Sequence, residues 1–158
     1  MLKRIVAIII INLQNKVNIR QNKIRSIVGL VLSSEDRIYG EVTITISTDQ
    51  RIRTLNRKFL GKDYSTDVLA FSFIEGKSLK VKAANSALSR MRLLGDVVVS
   101  AGTAIRNAKK YNTTAEYEIY LYVIHGILHL LGFDDANALK KAIMRKKEQY
   151  YLKKYYNL

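Results

Sequence analysis

His125 and His129 are the only two histidines in the chain, and they lie four residues apart in the run HGILHLLGFDD (125–135). Residues at i and i+4 of a helix stand one above the other on one face. Two imidazoles so placed can reach a single ion at about 2.0–2.1 Å, the usual nitrogen–zinc distance. Two histidines dropped at random into a chain of this length would fall four apart in about one case in eighty, so the spacing carries information. An apolar helix, however, often carries a histidine satisfied in its core.

The third ligand follows from the turn. Gly132 stands where a left-handed residue ends the helix, and Asp135, three residues further on, can face back toward the histidines. The metzincin pattern H-E-x-x-H-x-x-G-x-x-H uses the same device; here Gly126 replaces the glutamate and Asp135 the last histidine. Asp134 and Asp135 each have the alternative of capping the next helix. The chain has no cysteine, so thiolate sites and disulfides are excluded. The reading is one zinc or similar ion on His125, His129 and Asp135, which are also the candidate catalytic residues. Gly126 costs a helix about 1 kcal/mol relative to alanine, so something needs the space beside His125. Without a carboxylate there, peptide hydrolysis by the zincin route is disfavoured. A closely approaching phosphodiester fits better.

Charge points the same way. Lys and Arg total 27 against 13 Asp and Glu, a formal net charge of +14 and a pI near 10.0. A domain this basic attracts polyanions, nucleic acid first and acidic membrane second. The cations cluster at 51–62 (Arg51, Arg53, Arg57, Lys58, Lys62), at 76–93, and from 136 onward, where Glu148 is the single acid. Arg57, Lys58, Lys62, Lys146 and Lys147 are the candidate RNA contacts. The apolar run in KRIVAIIIINL is too short to span a membrane, and no small-residue cleavage site follows it. It reads as a buried strand, and the protein as cytoplasmic with no membrane partner.

The elements that must position the site form one domain, 1–158, of a size to hold one core. Strands are expected at 4–13, 41–47, 66–73 and 94–100, with helices at 18–32, 48–59 and 101–111. A Thr113–Glu116 capping box opens a helix to Leu131 that is apolar nearly all round. A basic helix follows from Ala136 to about Tyr155. The order βαβαββααα implies an α+β fold, a four-stranded mixed sheet packed with helices, one of them a metzincin-like metal-binding helix.

Three segments together resemble the YbeY family: HGILHLLGFDD, LNRKFLGKDYSTDVLAFS (55–72) and LGDVVVS (94–100). The Met144–Glu148–Leu152 spacing is also similar to that family, and the likeness runs from 40 to 152. The resemblance implies a metal-dependent single-strand endoribonuclease of small-subunit ribosomal RNA maturation and ribosome quality control. It further implies ribosomal RNA, the small ribosomal subunit and an Era-type GTPase as partners. The chain departs from the family at Asp135 (histidine), Leu60 (an arginine thought to serve RNA), and Ser65 and Ser72 (prolines). Asp67 and Asp96 stand at strand ends near a substrate path, where backbone hydrogen bonding is the commoner role. A ribosome-associated assembly factor with a non-catalytic metal site is the rival reading, and a metallopeptidase the third.

Overall fold

The computed structural model describes residues 5–36, 39–73 and 93–156. In chain order these form β1 (Ile5–Asn12), α1 (Gln21–Ser34), β2 (Tyr39–Ser47), α2 (Asp49–Leu60), β3 (Val68–Ser72), β4 (Leu93–Ser100), α3 (Ala101–Tyr111), α4 (Ala115–Leu130) and α5 (Ala138–Tyr156). The basic block at 76–93 lies almost wholly outside the described residues.

The four strands run in the order β1-β2-β4-β3. β1 and β4 flank β2 in parallel, and β3 closes the edge antiparallel to β4, so the sheet is mixed as expected. The alternation in β2 decides its faces. Val42, Ile44 and Ile46 are fully buried, while Glu41, Thr43 and Thr45 turn to the other side. β4 reads as a continuous apolar run because both its faces are covered. Val97 and Val99 join the main core under α1 and α4, and Val98 packs with Ile52 of α2 and Leu69 of β3.

β1 departs from the expectation of a buried strand. It is an edge strand covered on one face only: Ile10 is buried, whereas Ile9 and Ile11 are 41% and 40% exposed. A run without polar alternation does not reveal how many of its faces will be covered.

α4 lies at the centre of the helical layer, with ten of its residues buried. Its N-cap is Thr114 rather than Thr113: the Thr114 hydroxyl accepts from the Tyr117 amide at 3.1 Å. The expected Thr113–Glu116 box does not form, because Glu116 has stronger partners. Arg20 pairs with it at 2.9 Å and the Tyr120 hydroxyl donates to it at 2.5 Å. Thr113 instead donates to Glu118. Gly132 does end the helix, with φ +94°. Phe133 N–H bonds to Leu128 C=O and Gly132 N–H to His129 C=O, both at 3.0 Å. That pairing is a Schellman motif. α5 starts at Ala138, two residues later than expected, since Asn137 caps it by accepting from the Lys140 amide at 2.9 Å.

Candidate metal centre

The last turns of α4 bring the two imidazoles together. His125 Nε2 and His129 Nε2 are 2.8 Å apart, with the rings 77° to each other. The Schellman turn carries the chain back so that Asp135 Oδ1 lies 4.0 Å from His129 Nε2. One ligand atom from each of the three residues lies within 4.8 Å of the others. Three donors bound to one tetrahedral ion at zinc distances stand about 3.3 Å apart, so small rotations bring this set onto an ion. Among the described residues, this is the one such group. The donors are nitrogen, nitrogen and carboxylate oxygen, a set that can hold a metal ion.

α5 supplies a residue to which the spacing of the histidines gives no clue. Glu148 is 8% exposed, and its Oε1 lies 2.5 Å from His125 Nδ1. A carboxylate there holds the proton on Nδ1 and turns the Nε2 lone pair toward the site, as partners of metal-ligating histidines do. A signal existed in the sequence: Glu148 is the sole acid of a basic helix and falls in step with Met144 and Leu152, all three buried.

The two histidines differ in proton affinity. Burial presses the His125 pKa down, but the Glu148 hydrogen bond and the charges of Glu148, Asp135 and Asp67 outweigh it and leave it raised. Burial and then the adjacent His125 lower that of His129, against the opposing pull of Asp135. As pH falls, the first proton added to the pair therefore belongs on the His125 side, next to Glu148.

Asp134 is turned to other work. It accepts from the Ala136 amide at 3.1 Å and pairs with Lys140 at 2.8 Å. Asp67 Oδ1 accepts from the Val68 amide at 2.8 Å and the Thr66 hydroxyl at 3.1 Å, yet the residue also borders the site. Asp96 does not join the group. It neighbours Val97, which faces α4, and so lies on the opposite side of the sheet.

Gly126 has a different reason from the one its position suggested. A Cβ there would meet Val97 Cγ1 at 2.4 Å and Val68 Cγ2 at 3.2 Å. The space beside His125 belongs to the sheet, not to a substrate, and a general-base side chain could not occupy this position. The glycine lets α4 sit tightly on β4 and β3.

A groove of about 810 Å³ runs from the histidines along β3, bordered by Thr66 to Phe73 and by Leu60. Of the candidate RNA contacts, Arg57, Lys58 and Lys62 are exposed at and beyond the end of α2, with Arg57 3.9 Å from Asp63 and Lys58 over the Phe59 ring. Lys146 is exposed on α5. Lys147 is part-buried, paired with Glu35 at 2.5 Å and lying over the Phe133 ring, so its charge ties α5 to α1.

A mixed sheet, a buried helix bearing two histidines one turn apart, and an acid returned by a glycine turn define a small α+β protein with a three-residue group that could hold a metal ion. The particular family is shown by comparison. The family model described as "Endoribonuclease YbeY" matches residues 9–156, and the chain belongs to that family. The endoribonuclease YbeY of Salinibacter ruber is 36% identical over 129 residues, covering 82% of this chain and 79% of its own. That of Carboxydothermus hydrogenoformans is 37% identical over 143 residues, covering 89% and 91%. The solution structure of TM1509 from Thermotoga maritima shares the fold, with a TM-score of 0.64 at 24% identity over 97% of this chain and 90% of that one.

Proposed function

We propose that this protein is a metal-dependent endoribonuclease that cuts single-stranded RNA, with small-subunit ribosomal RNA as its target. The observation that carries the reading is the convergence of His125, His129 and Asp135 at the head of an open groove, in a protein of net charge +14. Membership of a family whose relatives are named endoribonucleases supplies the reaction class. The nitrogen and oxygen donor set suits zinc. A bound ion would supply Lewis acidity toward the phosphate and acidify a coordinated water.

The chain's own residues do the positioning. Glu148 keeps the Nδ1 proton of His125 in place, so that the ring offers Nε2 to the site. Asp135 contributes a negative charge where the family resemblance implies a neutral histidine, which lowers the net charge of the centre and makes it a milder acid. The exposed cations Arg57, Lys58 and Lys62 hold phosphates and fix the register of the strand. Cytoplasmic location, docking on the small ribosomal subunit and contact with an Era-type GTPase belong to the same proposal.

One observation favours the rival reading of an assembly factor that binds RNA without cutting it. Leu60, 54% exposed at the groove, offers no charge where the resemblance implies an arginine. A peptidase reading loses ground, because the position of its general base is filled by the sheet. The test is cleavage of a single-stranded RNA by purified protein whose metal content is measured in parallel. Cutting that stops with a chelator and returns with zinc supports the nuclease. Binding of one equivalent of zinc with no cutting leaves the assembly factor.

A further inference from the structure

A second cavity, of about 470 Å³, opens beside His125 and Asp135, between α3, α4 and α5, with Asp67 shared between it and the groove along β3. Its size is that of a small-molecule site. Its charge is unexpected. In a protein of net charge +14, Asp67, Glu118, Asp135 and Glu148 border it, against Lys141 and Arg145. Glu118 is 3% exposed; its Oε1 accepts from the Thr113 hydroxyl at 2.5 Å, and the carboxylate also hydrogen-bonds the Tyr122 hydroxyl. Glu148 gives Oε1 to His125, and its Oε2 makes no hydrogen bond among the described residues. These acids are not a second metal centre, since among the described residues only His125, His129 and Asp135 gather three ligand atoms.

A wall of carboxylates repels phosphate. A nucleotide entering here keeps its phosphate outside, toward the ligand group and the cations of α5, and inserts its base. Carboxylates only accept hydrogen bonds, so they match a base edge that donates. Adenine, cytosine and guanine each carry an exocyclic amine with two donor hydrogens; uracil has a single N3–H donor flanked by two carbonyl oxygens, which a carboxylate wall repels. Aromatic surface for stacking is at hand in Tyr111, 57% exposed at the mouth, while Tyr122 is buried in the wall and Tyr117 is stacked on Tyr156. Single-stranded RNA is read in this way, by stacking of splayed bases and hydrogen bonds to their edges.

We infer that this cavity is a specificity pocket that takes the amine-bearing base of a nucleotide next to the scissile phosphate and excludes uracil. The inference rests on the ribonuclease reading for its place in a reaction, but not for its binding.

Two measurements test it on the zinc-loaded protein. Calorimetric titration with AMP, CMP, GMP and UMP should show UMP binding about tenfold more weakly than the other three, the effect of one mismatched buried hydrogen bond. Sequencing the new ends cut from a randomised single-stranded RNA should show uracil depleted at one position flanking the break. Glu118→Gln replaces an acceptor oxygen with an amide donor and should bring UMP within about threefold of the rest. Tyr111→Ala, at the exposed lip, should weaken all four nucleotides without reordering them, and serves if the Glu118 variant does not fold. Equal affinity for the four nucleotides together with uniform bases around the cut overturns the pocket while leaving the nuclease standing. Nucleotide discrimination lost in Glu118→Gln, in a protein that cuts no RNA, upholds the pocket and removes the nuclease.

Discussion

Replacing Gly126 by alanine should destabilise the protein, against the helix propensity of the two residues. Alanine in mid-helix is worth about 1 kcal/mol more than glycine. The added methyl, however, would stand 2.4 Å and 3.0 Å from the two γ-carbons of Val97 and 3.2 Å from Val68 Cγ2. Val97 is fully buried in β4, an inner strand of the sheet, so neither it nor the backbone behind it can yield cheaply. Overpacking of this kind costs about 1–3 kcal/mol. The balance is a net loss of up to about 2 kcal/mol, or roughly 2–4 °C in Tm for each kcal/mol at this chain length. Urea unfolding measures it, with an unchanged m-value marking a change in stability alone. The decisive arm is Val97→Ala. That change alone should cost about 2 kcal/mol through the cavity it leaves. In its background Gly126→Ala should turn neutral or stabilising, a coupling of about 1–3 kcal/mol. Should Gly126→Ala raise stability in the parent chain, or cost the same in both backgrounds, the close packing of α4 on β4 is refuted as the reason for this glycine.

The ligand assignment separates two neighbouring acids: Asp135→Ala should leave less than about half an equivalent of bound zinc, and Asp134→Ala should leave zinc content near that of the parent, by elemental analysis. The reverse pattern would mean that the wrong aspartate has been chosen. Asp49 is held well below the usual carboxylate range by Arg106 first, against the opposing effect of burial, and then by Ser100 and Ser65. A depressed folded-state pKa contributes stability that is present above the unfolded value and lost as pH falls, so Asp49→Asn should flatten the decline in stability below about pH 4. Chemical denaturation across pH 2–6 checks this, and an unaltered acid limb would refute it. RNA affinity should fall with salt at a log–log slope of about −0.7 per phosphate contact on single strands. Neutralising Arg57, Lys58 and Lys62 together should flatten that slope, whereas Lys147→Ala should chiefly lower the unfolding midpoint, because Lys147 is already paired with Glu35.

The histidine pair, the glycine turn and the returning aspartate were legible because all three lie within eleven consecutive residues, where helix geometry alone fixes their relation. Glu148 was not legible as a partner of His125. It lies 23 residues further along, and only the docking of α5 on α4 brings it there. β2 was placed by its alternation and the other strands by short apolar runs, but the order of the strands was not legible, since β3 reaches the edge only by passing outside β4. Gly126 illustrates a subtler failure. Its helical position showed that room was needed, while the occupant of that room, Val97, could be known only once the sheet lay beneath the helix. The capping error at Thr113 arose because Glu116 found Arg20, distant in the chain, and left Thr114 to start the helix.

The bond between His125 and Glu148 also has a consequence in time. A chain is made from its N-terminus and its parts fold as they emerge. The candidate ligand group is complete once residue 135 is out, but the residue that orients His125 lies further along, in α5. Until α5 has emerged and docked, the imidazole is free to turn and to carry its proton on either nitrogen. The centre is therefore ordered only after α5 has been made and has docked, so a nascent chain that has not yet reached α5 presents an unordered centre to whatever surrounds it.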